Sequence, residues 1–173
     1  MASILNYLPE FKVVEINRST GLVAGHVLAQ FPLAADSDLT ETHGDLEALQ
    51  NGFIVGLGGD LEIDAYDPDV HSQPFLVFTE ELNTFFDGLK WYATFEDADG
   101  EIYPRAIGLF VGDVFTTNNY KGEEGAFAKV VEGELTLQAE ADADTLFAVE
   151  ESTLPNGDEA MRFIYVGTIF DTV

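Results

Sequence analysis

The sequence predicts a mainly β protein, a compact β-barrel or β-sandwich domain with one short α-helix over about residues 79–89 and an N-terminal β-hairpin arm. Three observations carry this. Short runs rich in Val, Ile, Phe and Tyr recur along the chain, many alternating apolar with polar residues. Turn dipeptides, Asn51-Gly52, Glu132-Gly133 and Asn156-Gly157 among them, stand between those runs. Helical spacing of apolar residues is best developed in one place, where Leu82, Phe85, Phe86 and Leu89 fall at i, i+3, i+4 and i+7.

In chain order, Phe11–Ile16 alternates, Asn17–Gly21 is a turn, and Leu22–Phe31 is mostly apolar, which together predict a hairpin. Pro32 ends it, and the polar, acidic stretch from Leu33 to Gln50 reads as a connector in which Asp45–Gln50 forms at most two helical turns. Residues 1–50 are thus expected as an arm with its connector, and 51–173 as the main domain. Asn51–Leu57 restarts β structure behind the Asn-Gly turn. The glycines that follow, Gly56, Gly58 and Gly59, do not complete a nucleotide-binding fingerprint, because Leu61 stands where the third glycine belongs and no Lys-Ser/Thr pair follows. A turn or bulge is expected there, followed by a half-buried strand over Leu61–Tyr66.

The stretch from Gln73 to Tyr120 is the centre of the reading, and it contains the only Trp. Phe75–Phe78 is extended. Thr79 caps the predicted helix, Glu80 and Glu81 sit where the helix dipole favours negative charge, and Gly88 marks its end. Lys90–Phe95 and Ile102–Phe115 are extended again, the latter broken by Pro104, Gly108 and Gly112. Beyond the surface turn Lys121–Gly125 come strands at Ala126–Val131, Glu134–Ala139, Thr145–Glu150 and Ala160–Ile169.

Composition narrows the function. A chain of 173 residues buries roughly 70% of its unfolded surface and needs no staples. It has no cysteine, which excludes disulfides, thiolate metal sites and cysteine nucleophiles. No apolar run of about 18 residues is present to cross a bilayer as a helix, and the first residues lack the pattern of a secretory leader, so a soluble protein is expected; on that ground the Asn17-Arg18-Ser19 glycosylation pattern is a chance match. Seven basic residues against 32 acidic ones give 7 − 32 = −25, and the basic residues are scattered. That charge opposes binding to nucleic acid or anionic lipid and favours solubility.

Three acidic runs, Asp64–Asp69, Asp97–Glu101 and Glu140–Asp144, are weighed as calcium sites, but none completes a calcium-loop pattern. Asp97–Gly100 is most simply a turn. His26, His43 and His71 lie far apart, with no zinc-binding spacing, and no nucleophile elbow occurs. No catalytic, metal or cofactor residue is therefore assigned. Trp91, Tyr92, Tyr103 and Tyr120 are candidate interface or sugar-stacking aromatics, and Arg105, a cation among acids, is expected to pair with a nearby carboxylate or to make an intersubunit contact.

NGFIVGL (51–57), QPFLVFTEELNTFFDGLKWYATFE (73–96) and above all YPRAIGLFVGDVFTTNNY (103–120) resemble the structural proteins of tailed bacteriophages that decorate the capsid exterior. The resemblance runs from Asn51 to the C-terminus. It implies a non-enzymatic virion protein, made in the host cytoplasm, that binds the major capsid protein lattice and stabilises the head by bridging capsid subunits. A position on a three-fold axis would make a trimer natural. The contacts expected are the aromatic-lined face of Trp91, Tyr92, Tyr103, Arg105 and Tyr120, together with Phe11 and Val13 of the arm. The alternative is a carbohydrate- or receptor-binding module of a phage tail or cell surface, and an acidic hydrolase is the enzymatic rival.

Overall fold

A computed structural model describes residues 12–19, 26–43, 46–79, 81–83, 89–91, 93–155 and 157–167. The described elements are all β strands, arranged in four antiparallel sheets. The largest has six strands: β1 (Val14–Arg18), β12 (Val114–Thr117), β16 (Glu159–Tyr165), β15 (Thr145–Thr153), β13 (Phe127–Val131) and β14 (Glu134–Gln138), in that spatial order. A five-stranded sheet follows the order β2 (Val27–Leu28), β11 (Ala106–Gly108), β7 (Phe75–Val77), β5 (Ile54–Leu57), β6 (Ile63–Ala65). The third sheet is β10 (Ala93–Phe95), β4 (Leu46–Gln50) and β3 (Thr40–His43), and the fourth pairs β8 (Glu81–Asn83) with β9 (Leu89–Trp91).

The five-stranded sheet lies between two hydrophobic cores, and this explains its sequence. Ile54 and Leu76 enter the first core, whereas their neighbours Val55, Phe75 and Val77 enter the second. A sheet apolar on both faces needs continuous rather than alternating runs, and IVGL, FLV and AIG supply them. The six-stranded sheet faces the first core alone. There Phe163 stacks on Phe115 at 5.4 Å between ring centres, and Phe147 meets both edge-on at 5.8 and 6.0 Å. In the second core Leu49 of β4 joins the loop residues Leu33, Leu39, Phe53 and Ile102.

Turn chemistry fixes the registers. Glu132 and Gly133 both have positive φ, 51° and 77°, as a two-residue hairpin turn of this kind requires, and Val131 then pairs with Glu134. Asn51 is fully buried, and its amide exchanges two bonds with the Thr79 backbone, at 2.7 and 2.9 Å, while its carbonyl accepts from Asn119 Nδ2 at 2.7 Å. That knot ties the ends of β7 and β12 to the turn that begins β5.

Three expectations are corrected. The predicted helix over 79–89 is replaced at both ends by strands, with Glu81 opposite Trp91 and Asn83 opposite Leu89, while 80 and 84–88 lie outside the described residues. Among the described residues the two halves of the expected N-terminal hairpin are not paired with each other, because β1 pairs with β12 and β2 pairs with β11 in another sheet. The stretch read as a connector with at most two helical turns over Asp45–Gln50 instead contains β4, which pairs with β3 on one side and β10 on the other. In each case a partner far away in sequence, or a hairpin partner on the same sheet, outweighs the local preference.

Candidate functional site

The expected aromatic face comes together only in part. Burial alternates through residues 102–106, so that Ile102, Pro104 and Ala106 point inward while Tyr103 and Arg105 stay exposed, Tyr103 at 44%. Tyr120 lies elsewhere, half-buried against Phe163 in the first core. Val13 is also partly buried, its N–H donating to Asn118 Oδ1 at 2.9 Å and its carbonyl accepting from Thr117 Oγ1 at 2.8 Å. Trp91 stands in β9, and Phe11 and Tyr92 lie outside the described residues. Arg105 makes no ion pair with a described residue. The ion pairs among them are Lys121–Glu134, Lys129–Asp142 at 3.5 Å and Arg162–Glu150 at 3.8 Å.

The acidic runs resolve into turns. Asp97 Oδ1 accepts from the N–H groups of Asp99 at 2.8 Å and Glu101 at 3.1 Å, and Gly100 closes the turn with φ of 82°. Asp142 Oδ1 accepts from Gln138 Nε2, Asp144 N and Thr145 Oγ1 at 3.0–3.2 Å. The Gln138 bond foremost, then those from Thr145 and Asp144 and the charge of Lys129, hold its carboxyl below the usual carboxylate range. Carboxylates consumed in this way order loops. Among the described residues no group of three or more His, Asp or Glu side chains is placed to hold a metal ion.

The third acidic run does something else. The β5–β6 hairpin closes through Gly58 N–H to the Glu62 carbonyl at 2.9 Å, with Leu61 in the left-handed region at φ 68°. After β6 the chain makes a second turn in which the Val70 and His71 N–H groups donate to the Asp67 carbonyl at 3.1 and 2.8 Å. These two turns, the loop at Ala34–Asp36 and the β13–β14 turn enclose an open cleft of about 710 Å³. Asp36, Asp60, Glu62, Asp64, Asp67 and Glu132 line it, all six exposed, and its lining contains no Lys or Arg. The one imidazole in the wall is His71, only 8% exposed.

No protein-family model, curated protein or solved structure matches this chain. The site therefore has to be read from its own chemistry. His71 packs so closely on Gly56 that a Cβ there would lie 2.1 Å from the ring, and its other neighbour is Tyr66, with ring centres 6.0 Å apart. Its Nδ1 accepts the Asp67 backbone N–H at 3.0 Å, so the neutral ring carries its proton on Nε2. Burial, then the Asp67 charge, raises the Tyr66 phenol, and burial together with Tyr66 pushes Tyr165 up to about 12. Both phenols thus remain neutral donors at any physiological pH.

Proposed function

We propose that this chain is a non-enzymatic virion structural protein that binds the capsid exterior and bridges neighbouring capsid subunits through an exposed Tyr-Arg pair. The observation that carries the reading is Arg105. In a chain of net charge −25, an exposed guanidinium without an ion-pair partner among the described residues stands two residues from an exposed Tyr103, on the same side of an extended segment. Tyr and Arg are the residues most often found as interface anchors, and the planar guanidinium of Arg suits pairing across an interface. Both belong to the block 103–120 that resembles capsid-decorating proteins. That block also supplies β11, paired to β7 in the five-stranded sheet, and β12, paired to β16 in the six-stranded one, so the pair rides on rigid backbone.

Many weak contacts over a repeating lattice add to a tight overall attachment. A surface of net charge −25 meanwhile repels the packed genome. The reading is tested by co-sedimentation with purified virions and cryo-electron microscopy of the particles. Density on the outer lattice is expected, and Arg105→Glu should weaken attachment by about thirtyfold or more, as loss of an anchor does. Absence from virions, or unchanged attachment of the variant, would refute it.

A further inference from the structure

We infer that the loop 121–125 is a strap over a latent self-pairing edge, and that a second copy of this chain pairs antiparallel with β14 when the strap is lifted. The test below uses the isolated chain, so its outcome does not depend on the capsid reading.

β14 is the last strand of the six-stranded sheet. Val131 pairs with Glu134 across the turn, so Glu134, Thr136 and Gln138 bond to β13 and the backbone groups of Leu135 and Leu137 point outward. An outward row of this kind is a template for another strand unless something covers it. Here the strap covers it. The Lys121 N–H donates to the Leu135 carbonyl at 2.8 Å, and the Leu137 N–H donates to the Lys121 carbonyl at 2.9 Å. Lys121 thus stands opposite Thr136 as a residue of a parallel strand would.

Residues 121–124 are exposed, so the strap is held by these backbone bonds and the Lys121–Glu134 ion pair rather than by burial. Two glycines let it lie so close. Gly122 has φ of 96°, and a Cβ there would come 3.1 Å from Leu137 Cβ. At Gly125 a Cβ would come 2.6, 2.7 and 2.8 Å from Gln138 O, N and C, which are backbone atoms and cannot swing aside. The chain therefore passes around the end of β14 at Gln138, from the strap on one side to β13 on the other.

The strand beneath suits a copy of itself. Antiparallel pairing centred on Thr136 uses both outward residues: Leu135 stands opposite Leu137 of the second copy, and the two exchange the bonds that Lys121 now takes. Glu134 falls opposite Gln138 of the second copy, so no carboxylate faces a carboxylate within the paired strands of a chain whose net charge is −25.

Because the chain has no cysteine, a single introduced one reports this register. Thr136 would face its own copy as a non-bonded pair, with Cα atoms about 4.5 Å apart, within disulfide range. Thr136→Cys is placed in the parent, in Gly125→Ala and in Lys121→Glu, and dimers formed with oxidised glutathione are followed by non-reducing electrophoresis. Losing two backbone bonds raises the open population by roughly thirtyfold, so cross-linking about tenfold or more faster is expected with Gly125→Ala. Lys121→Glu changes only an exposed side chain and should speed it by about twofold to fivefold. Where circular dichroism shows Gly125→Ala to be unfolded, Lys121→Glu decides alone. Glu132→Cys, exposed on the adjoining turn but outside the centre of the register, should cross-link slowly in every background. Thr136→Cys rates that stay at the parent value in the folded variants would overturn the proposal. So would cross-linking at Glu132 as fast as at Thr136, which would show collision without pairing.

Discussion

Replacing Gly56 by Ala should destabilise the protein and disorganise the cleft wall together. Gly56 lies in β5, between β7 and β6, and its φ is not positive, so the backbone itself accepts any residue. In open space the change would stabilise by about 0.4–1 kcal/mol, by restricting the unfolded chain. Here the new Cβ would sit 2.1, 2.4 and 2.5 Å from His71 Cγ, Nδ1 and Cδ2, which are atoms of a rigid ring rather than the tip of a flexible chain. The ring must swing away, breaking the Asp67 N–H to Nδ1 bond and its contact with Tyr66. Overpacking costs about 1–3 kcal/mol and the lost bond about 1 kcal/mol, so a net loss of about 2–3 kcal/mol is expected. For a chain of this length that lowers Tm by roughly 4–12 °C. Circular dichroism melts of the variant beside Gly59→Ala, where a Cβ meets nothing within 4 Å, provide the assay. Gly59→Ala should stay within about 0.5 kcal/mol of the parent. A Gly56→Ala protein as stable as the parent, or more so, would refute the placement of His71.

Other outcomes follow from the same geometry. Phe163→Ala, which empties the middle of the Phe115–Phe147–Phe163 cluster, should cost about 3–5 kcal/mol in urea unfolding; a loss below about 1 kcal/mol would contradict its full burial. Glu132→Asn should stabilise by about 0.5 kcal/mol, since Asn tolerates the left-handed region better than Glu does. Asp142 has a folded pKa below its unfolded one, so its contribution is present above the ordinary carboxylate range and is lost as pH falls through the folded value. The stability gap between the parent and Asp142→Ala, measured as Tm against pH, should therefore narrow on acidification, and a constant gap would count against the Gln138 and Thr145 bonds. Tyr165 behaves oppositely in direction. Its phenol keeps its proton to about 12 when folded against 10.0 ordinarily, so stability falls as pH rises between those values, and Tyr165→Phe should flatten that fall.

The strands legible in the sequence are those whose pairing is local or whose pattern is unambiguous. β13, β14, β15 and β16 are joined by short turns, and Glu132-Gly133 announces one of them directly. β5 and β7 read as continuous apolar runs, which a sheet covered on both faces requires. The failures share a cause. The spacing of Leu82, Phe85, Phe86 and Leu89 satisfies a helix, yet Glu81–Asn83 and Leu89–Trp91 pair as strands, and Gly88, which suits a helix end, follows Asp87 in a dipeptide that equally suits a hairpin. β1 pairs with a strand about a hundred residues away, Val14 opposite Thr117, and no local pattern names such a partner.

The cleft was illegible for a related reason. Its wall draws on four segments, at residues 34–36, 58–71, 130 and 132, and in a chain with 32 acidic residues these six carry no signal until topology gathers them. Its neighbouring acidic runs show what the alternative looks like, because at Asp97 and Asp142 the carboxylate oxygens are spent on nearby N–H and O–H groups. At the cleft Asp60, Asp64 and Asp67 also accept local bonds, but their side chains stay exposed around a common space, and Glu62 and Glu132 accept none among the described residues. Attachment through Tyr103 and Arg105 would rest on one charge and an aromatic ring, so raising the ionic strength should weaken it only mildly.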